Sequence, residues 1–185
     1  MTDPTYRQRL LALDQAQYQG EPLSDVDEAF LYTILNADAI PDALRVRVGL
    51  LLTCEEDPVL ERFLAAFPDF SLNVKKLLVP LLCGLDIYPP YKMLFDLLKS
   101  TLDENLADWI ILSMSKSQYP LAMPVIFYVG DPDVLFHRRI KRLVAKMGLK
   151  KLGPFLAMMP EVPHAQVYEE IFGDLAFRRL RSRKK

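Results

Sequence analysis

Seven Lys or Arg, and no Asp or Glu, lie between Val134 and Lys151 in the stretch VLFHRRIKRLVAKMGLKK. Cations at this density and of one sign attract anions, either the carboxylates of a protein surface or the phosphates of a nucleic-acid backbone. On a helix turning about 100° per residue, Phe136, Ile140, Leu143, Val144 and Met147 cover one face. Arg138, Arg139, Lys141, Arg142 and Lys146 fall on the other, and Lys150 and Lys151 extend it at the next turn. The apolar stripe is what any helix facing a core needs. The uniform sign of the outer face is less ordinary, because like charges at i,i+4, such as Arg138–Arg142 and Arg142–Lys146, oppose the helix by roughly 0.2–0.5 kcal/mol each. A second basic cluster, FRRLRSRKK, carries Arg178, Arg179 and Arg181; part of it complements the negative end of a helix dipole. These ten basic residues are the candidate contact for an anionic partner.

The rest of the chain balances this charge. Residues 1–133 hold 10 Lys/Arg against 20 Asp/Glu, and residues 134–185 hold 13 against 4, so a net charge of −1 conceals an acidic portion and a basic one. An overall pI of about 6.1 argues against a dedicated nucleic-acid binder.

Catalysis requires polar groups that converge, and the sequence offers no such set. It contains no Gly-rich phosphate loop, no GxSxG, no HExxH and no cluster of Cys and His. His137 lies inside the basic stretch, and His164 follows Pro163 with no nucleophile or second ligand at hand. Cys54 and Cys83 sit in separate Leu-rich runs without CxxC or CxxH spacing, which reads as two buried thiols in a reducing compartment. Glu55-Glu56-Asp57 precedes Pro58 and complements a helix N-terminus; no further carboxylate follows at loop-ligand spacing for a metal. The reading is therefore no catalytic residue, no metal and no cofactor. The start MTDPTYRQRL lacks a signal-peptide core, and runs such as LLVPLLCGL fall well short of the ~20 apolar residues that span a bilayer. A soluble cytoplasmic protein is expected.

The elements that must carry these residues are helices, and they repeat. Tyr88-Pro89 and Tyr119-Pro120 align at an offset of 31, and Pro58 and Pro154 continue the series. Proline opens a helix without penalty, because the first-turn N–H groups have no partner anyway. The pattern predicts longer helices near 42–53, 71–84, 103–116 and 133–147, each followed by a shorter one near 58–67, 89–99, 121–129 and 150–159. Helices near 5–17, 24–36 and 164–181 flank this array and read as atypical end units. The expected chain is a single domain of about 11 helices: capping helices over 1–40, four helix pairs over 41–160, and a capping helix with a basic tail over 161–185. Tyr88 and Tyr119 are expected at inter-helix turns, where an exposed pair would form an aromatic ladder for a peptide.

Helix pairs at such a period stack because one pair cannot bury its apolar stripe alone. DALRVRVGLLL (42–52) carries Asp42 and Arg45, and DVLFHRRIKRLVAKMG (133–148) carries Asp133, Arg138, Ala145 and Gly148. With the weaker NVKKLLVPLLCG, these segments resemble the HEAT and armadillo-like class, in particular short bacterial HEAT-like repeats of about 31 residues. The resemblance covers residues 42–159 and implies an all-α, right-handed α-solenoid of antiparallel helix pairs. The function it implies is a non-enzymatic scaffold or adaptor that binds another protein. A nucleic-acid-binding solenoid is the alternative, and a second copy docking acidic end to basic end is a further partner to weigh. One HEAT-like branch comprises DNA glycosylases that use an acidic residue with aromatic side chains, and ENLADWIILSM places Asp108 beside Trp109. Adjacent helix positions diverge by about 100°, so Trp109 is expected to be a core anchor rather than part of a pocket.

Overall fold

The computed structural model describes residues 4–38, 40–54, 57–85, 87–117 and 132–156, with side chains over 6–38, 40–53, 58–85, 87–117 and 132–148. Among the described residues the structure is all helical, without strands: α1 Pro4–Tyr18, α2 Asp25–Asn36, α3 Asp42–Cys54, α4 Asp57–Ala66, α5 Leu72–Cys83, α6 Tyr88–Ser100, α7 Glu104–Lys116 and α8 Val134–Leu156. A short 3-10 turn, Phe67–Asp69, follows α4. The expected helices near 121–129 and 164–181 lie outside the described residues. None of the helices is long and apolar enough to cross a membrane, among the residues described.

Local chemistry accounts for the helix starts. Ser24 caps α2 by accepting from Asp27 N at 3.2 Å, and Asp103 caps α7 by accepting from Leu106 N at 2.8 Å. Asp133 caps α8 in the same way, accepting from Phe136 N at 2.8 Å. Each cap satisfies a first-turn donor that the helix leaves open. Pro58 and Pro89 stand in the first turns of α4 and α6, as expected. Pro154 does not open its helix. Helical backbone resumes directly after Gly148, where φ 71° and ψ 165° break α8, and already runs through Pro154. That backbone conformation is open essentially to glycine alone.

The chain divides into two compact units, Met1–Leu97 and Leu98–Lys185, with the boundary inside α6. In the first unit α3 is central and packs against α1, α2, α4 and α5. Val48, Leu51 and Leu52 of α3 are buried, as are Leu78, Val79 and Leu82 of α5. The two helices approach closely at Gly49, where an added Cβ would lie 2.6 Å from Leu78 Cδ2. Phe63, Phe67 and Phe70 form an aromatic knot around the 3-10 turn, with ring centroids 5.9 to 6.1 Å apart, and Tyr32 of α2 joins it. Cys83 is buried at the end of α5, and burial pushes its thiol pKa up to about 12. The buried Tyr91 hydroxyl donates to the Cys83 carbonyl at 2.5 Å, closing a helix end that has no amide left to pair with it.

Several polar ties between helices share nearly one separation, although Arg9 of α1 reaches Asp27 of α2 across only 18 residues. Gln17 donates to Leu51 O and Arg62 to Glu28, each across 34 residues, and within the second unit Arg139 reaches Glu104 across 35 and Arg142 reaches Asp108 across 34. Asp14 and Arg47 form another α1–α3 tie. The paired positions ascend together, Asp14 to Arg47 then Gln17 to Leu51, and Glu104 to Arg139 then Asp108 to Arg142. Helices joined in that order run parallel. α1 lies along α3, with α2 between them in the chain, and α7 lies along α8.

Candidate anionic-partner face on the last described helix

α8 packs along α7 within the second unit. Phe136, Ile140, Leu143, Val144 and Met147 are buried, as the helical wheel predicts. On α7 the buried side is Leu106, Ala107, Ile110, Ile111 and Met114. Trp109 is not a core anchor: it is 40% exposed, because it sits one position outside that stripe.

The five cations of α8 separate into two groups. Arg138 and Lys146 are exposed, and Lys141 is half-buried beside them. Arg139, assigned to the outer face by the wheel, is instead only 1% exposed and is the largest fully buried side chain in the described protein. The reason lies in its angle. Arg139 precedes Leu143 by four residues, so the two differ by only about 40° around the axis, and Arg139 flanks the apolar stripe. Its guanidinium donates to Leu98 O at 2.6 Å, to Thr101 O at 2.9 Å and to Glu104 Oε1 at 2.5 Å. Leu98 belongs to the last turn of α6, Thr101 to the connection and Glu104 to the first turn of α7. One planar fork therefore satisfies carbonyls that a helix end leaves open and pairs with an acid at a helix start.

Arg142 completes the cluster, bonding Glu104 Oε2 at 3.4 Å and also Asp108. Its side chain keeps 37% exposure, with Glu104 and Asp108 at 55% and 54%, so this outer part is screened by water. Glu104 is held below the ordinary carboxylate range first by the hydrogen bond from Arg139 and then by the charges of the two arginines. Lys99 adds a cation 5.6 Å from the centroid of the Phe136 ring.

Arg45, expected from the sequence as a basic repeat position, makes contacts like those of Arg139. Arg45 of α3 donates to Ala37 O at 2.6 Å, just past the end of α2, and pairs with Asp42 at 3.2 Å. By sequence the counterpart of Arg45 is Arg138; by contact it is Arg139. Asp133, expected as the repeat's acidic position, serves as the α8 cap. Sequence reasoning missed Glu104 and Asp108 as partners of Arg139 and Arg142; acids four apart meet cations three apart, so spacing alone does not pair them.

The side chains of Lys150 and Lys151, together with Arg178, Arg179, Arg181, Tyr119 and His164, lie outside the described residues. Tyr88 is 42% exposed at the start of α6. No group of three or more His, Cys, Asp or Glu suited to a metal occurs among the described residues. Comparison with family models, with curated proteins and with solved structures returned no match to this chain.

Proposed function

We propose that this chain is a non-enzymatic adaptor, a right-handed HEAT-like α-solenoid that docks an acidic protein surface on the outer side of α8. The stacking is supported by the recurrent ties near 34 residues, which join α1 to α3, α2 to α4 and α7 to α8. In stacked helix pairs, first helices lie on first helices and second on second. In that register α1 and α2 close the array by stacking α1 on α3 and α2 on α4.

The observation that carries the function is the trio Arg138, Lys141 and Lys146, all outside the buried stripe of α8, with Arg138 opposite it and the two lysines on its flanks. Among the described side chains of α8, internal pairing of Arg139 and Arg142 leaves these three as the cations directed to a partner. Protein is favoured over nucleic acid by what flanks them. Glu104 and Asp108 are both exposed beside Arg142, and these carboxylates repel a phosphate backbone, whereas a protein surface can present both signs.

The test uses the full chain as bait, as wild type and as the reversal R138E/K141E/K146E, with captured material treated with nuclease. Wild type is expected to retain a discrete set of acidic proteins that survive nuclease and are lost with the reversal. Identical captures by the two baits, or captures that vanish with nuclease, overturn the proposal.

A further inference from the structure

The two compact units carry opposite charge. Residues 1–97 hold 8 Lys/Arg against 15 Asp/Glu, a net −7, and residues 98–185 hold 15 against 9, a net +6. Internal ion pairs do not cancel this division. The described pairs lie within one unit, Arg9–Asp27, Arg47–Asp14 and Arg62–Glu28 in the first, Arg139–Glu104 and Arg142–Asp108 in the second. Each such pair removes equal positive and negative charge, so every unit keeps its excess. In the first unit the excess is displayed at exposed carboxylates, among them Glu21, Asp25, Asp38, Glu61 and Asp69. In the second it is displayed at Arg138, Lys141 and Lys146.

From this complementarity we infer that the acidic surface docked by α8 is the first unit of a second copy of the same chain. The inference rests on the docking role of α8 proposed above and supplies its partner. Two copies arranged about a two-fold axis each offer an acidic unit to the other's basic unit, so one contact is made twice and the assembly closes as a dimer. A single head-to-tail contact that does not close would extend into a chain of copies. Opposite fields steer the encounter, and salt weakens it, because the Debye length falls from about 30 Å at 0.01 M ionic strength to about 3 Å at 1 M.

The experiment is sedimentation velocity on the purified full-length chain over a concentration series, at about 0.02 M and about 0.5 M salt. The wild type is expected to sediment as a dimer at low salt, with its apparent Kd rising at least ~10-fold at high salt. R138E/K141E/K146E is expected to remain a monomer in both. R138K/K141R/K146R, which keeps the charge, is expected to dimerise as the wild type does, and circular dichroism confirms that both variants fold. A wild-type monomer at low salt overturns the inference, and so does a dimer that survives the reversal. Either result leaves docking on a different acidic protein to the bait experiment, so the two failures are told apart.

Discussion

Replacing Arg139 with Ala removes one guanidinium from three acceptors at once. The Leu98 and Thr101 carbonyls lose their donor, and a buried or partly buried group stranded in this way costs roughly 1–3 kcal/mol. Glu104 loses its close partner as well. Breaking a fully buried ion pair by removing one member costs roughly 3–5 kcal/mol, but the Glu104 side chain is 55% exposed and can be rehydrated. The carbonyls therefore dominate, and the expected loss is about 3 kcal/mol. Arg142→Ala is the control, because its pairs are exposed and such pairs contribute about 0–1 kcal/mol. Trp109 is the sole tryptophan and lies on α7, so its fluorescence follows the second unit during urea unfolding. With slopes of about 1–3 kcal/mol/M, Arg139→Ala should lower the urea midpoint by ~1 M or more. Arg139→Lys should fall between, since it keeps the charge without the fork. Equal midpoints for Arg139→Ala and Arg142→Ala would refute the assignment of Arg139 as the tie between α6, α7 and α8.

Gly49→Ala gains about 1 kcal/mol of helix propensity but places a methyl 2.6 Å from Leu78 Cδ2. Overpacking of roughly 1–3 kcal/mol should win, lowering the melting temperature, and Leu78→Ala in the same chain should relieve part of the clash, measured as a double-mutant cycle. Glu104 and Asp27 both titrate below their ordinary values of 4.5 and 3.8, Glu104 through Arg139 and Asp27 through Ser24 and then Arg9. Lowered folded-state values mean that their stabilisation is present above about pH 4.5 and lost as pH falls through those values; melting curves from pH 7 to pH 3 should show it, more weakly for Glu104 in Arg139→Ala. In a Cys54→Ser background Cys83, buried and with its pKa pushed up to about 12, should resist Ellman's reagent at pH 8 until urea unfolds the protein. Stoichiometric reaction within the mixing time would contradict that burial.

What the sequence determined by itself is the helical class and most of the helices among the described residues. The stretches expected at 42–53, 71–84 and 103–116 are Asp42–Cys54, Leu72–Cys83 and Glu104–Lys116, within two residues at each end. Apolar periodicity, proline starts and Ser or Asp caps act within one or two turns, so neighbouring residues suffice to specify them. The exposure of Arg138 was legible for the same reason, since it lies opposite the apolar stripe. Arg139 and Trp109 were not legible. Each stands beside the buried stripe of its helix, where an angle alone cannot choose between core and water. Arg139 is buried because the end of α6 and the start of α7 present two carbonyls and a carboxylate to it from 35 to 41 residues away. No residue near Trp109 in the chain indicates that the α7 core ends one position short of it. Helical periodicity is a property of consecutive residues, but the partner of a flanking side chain is set by which distant helix arrives there, and only the tertiary structure decides that.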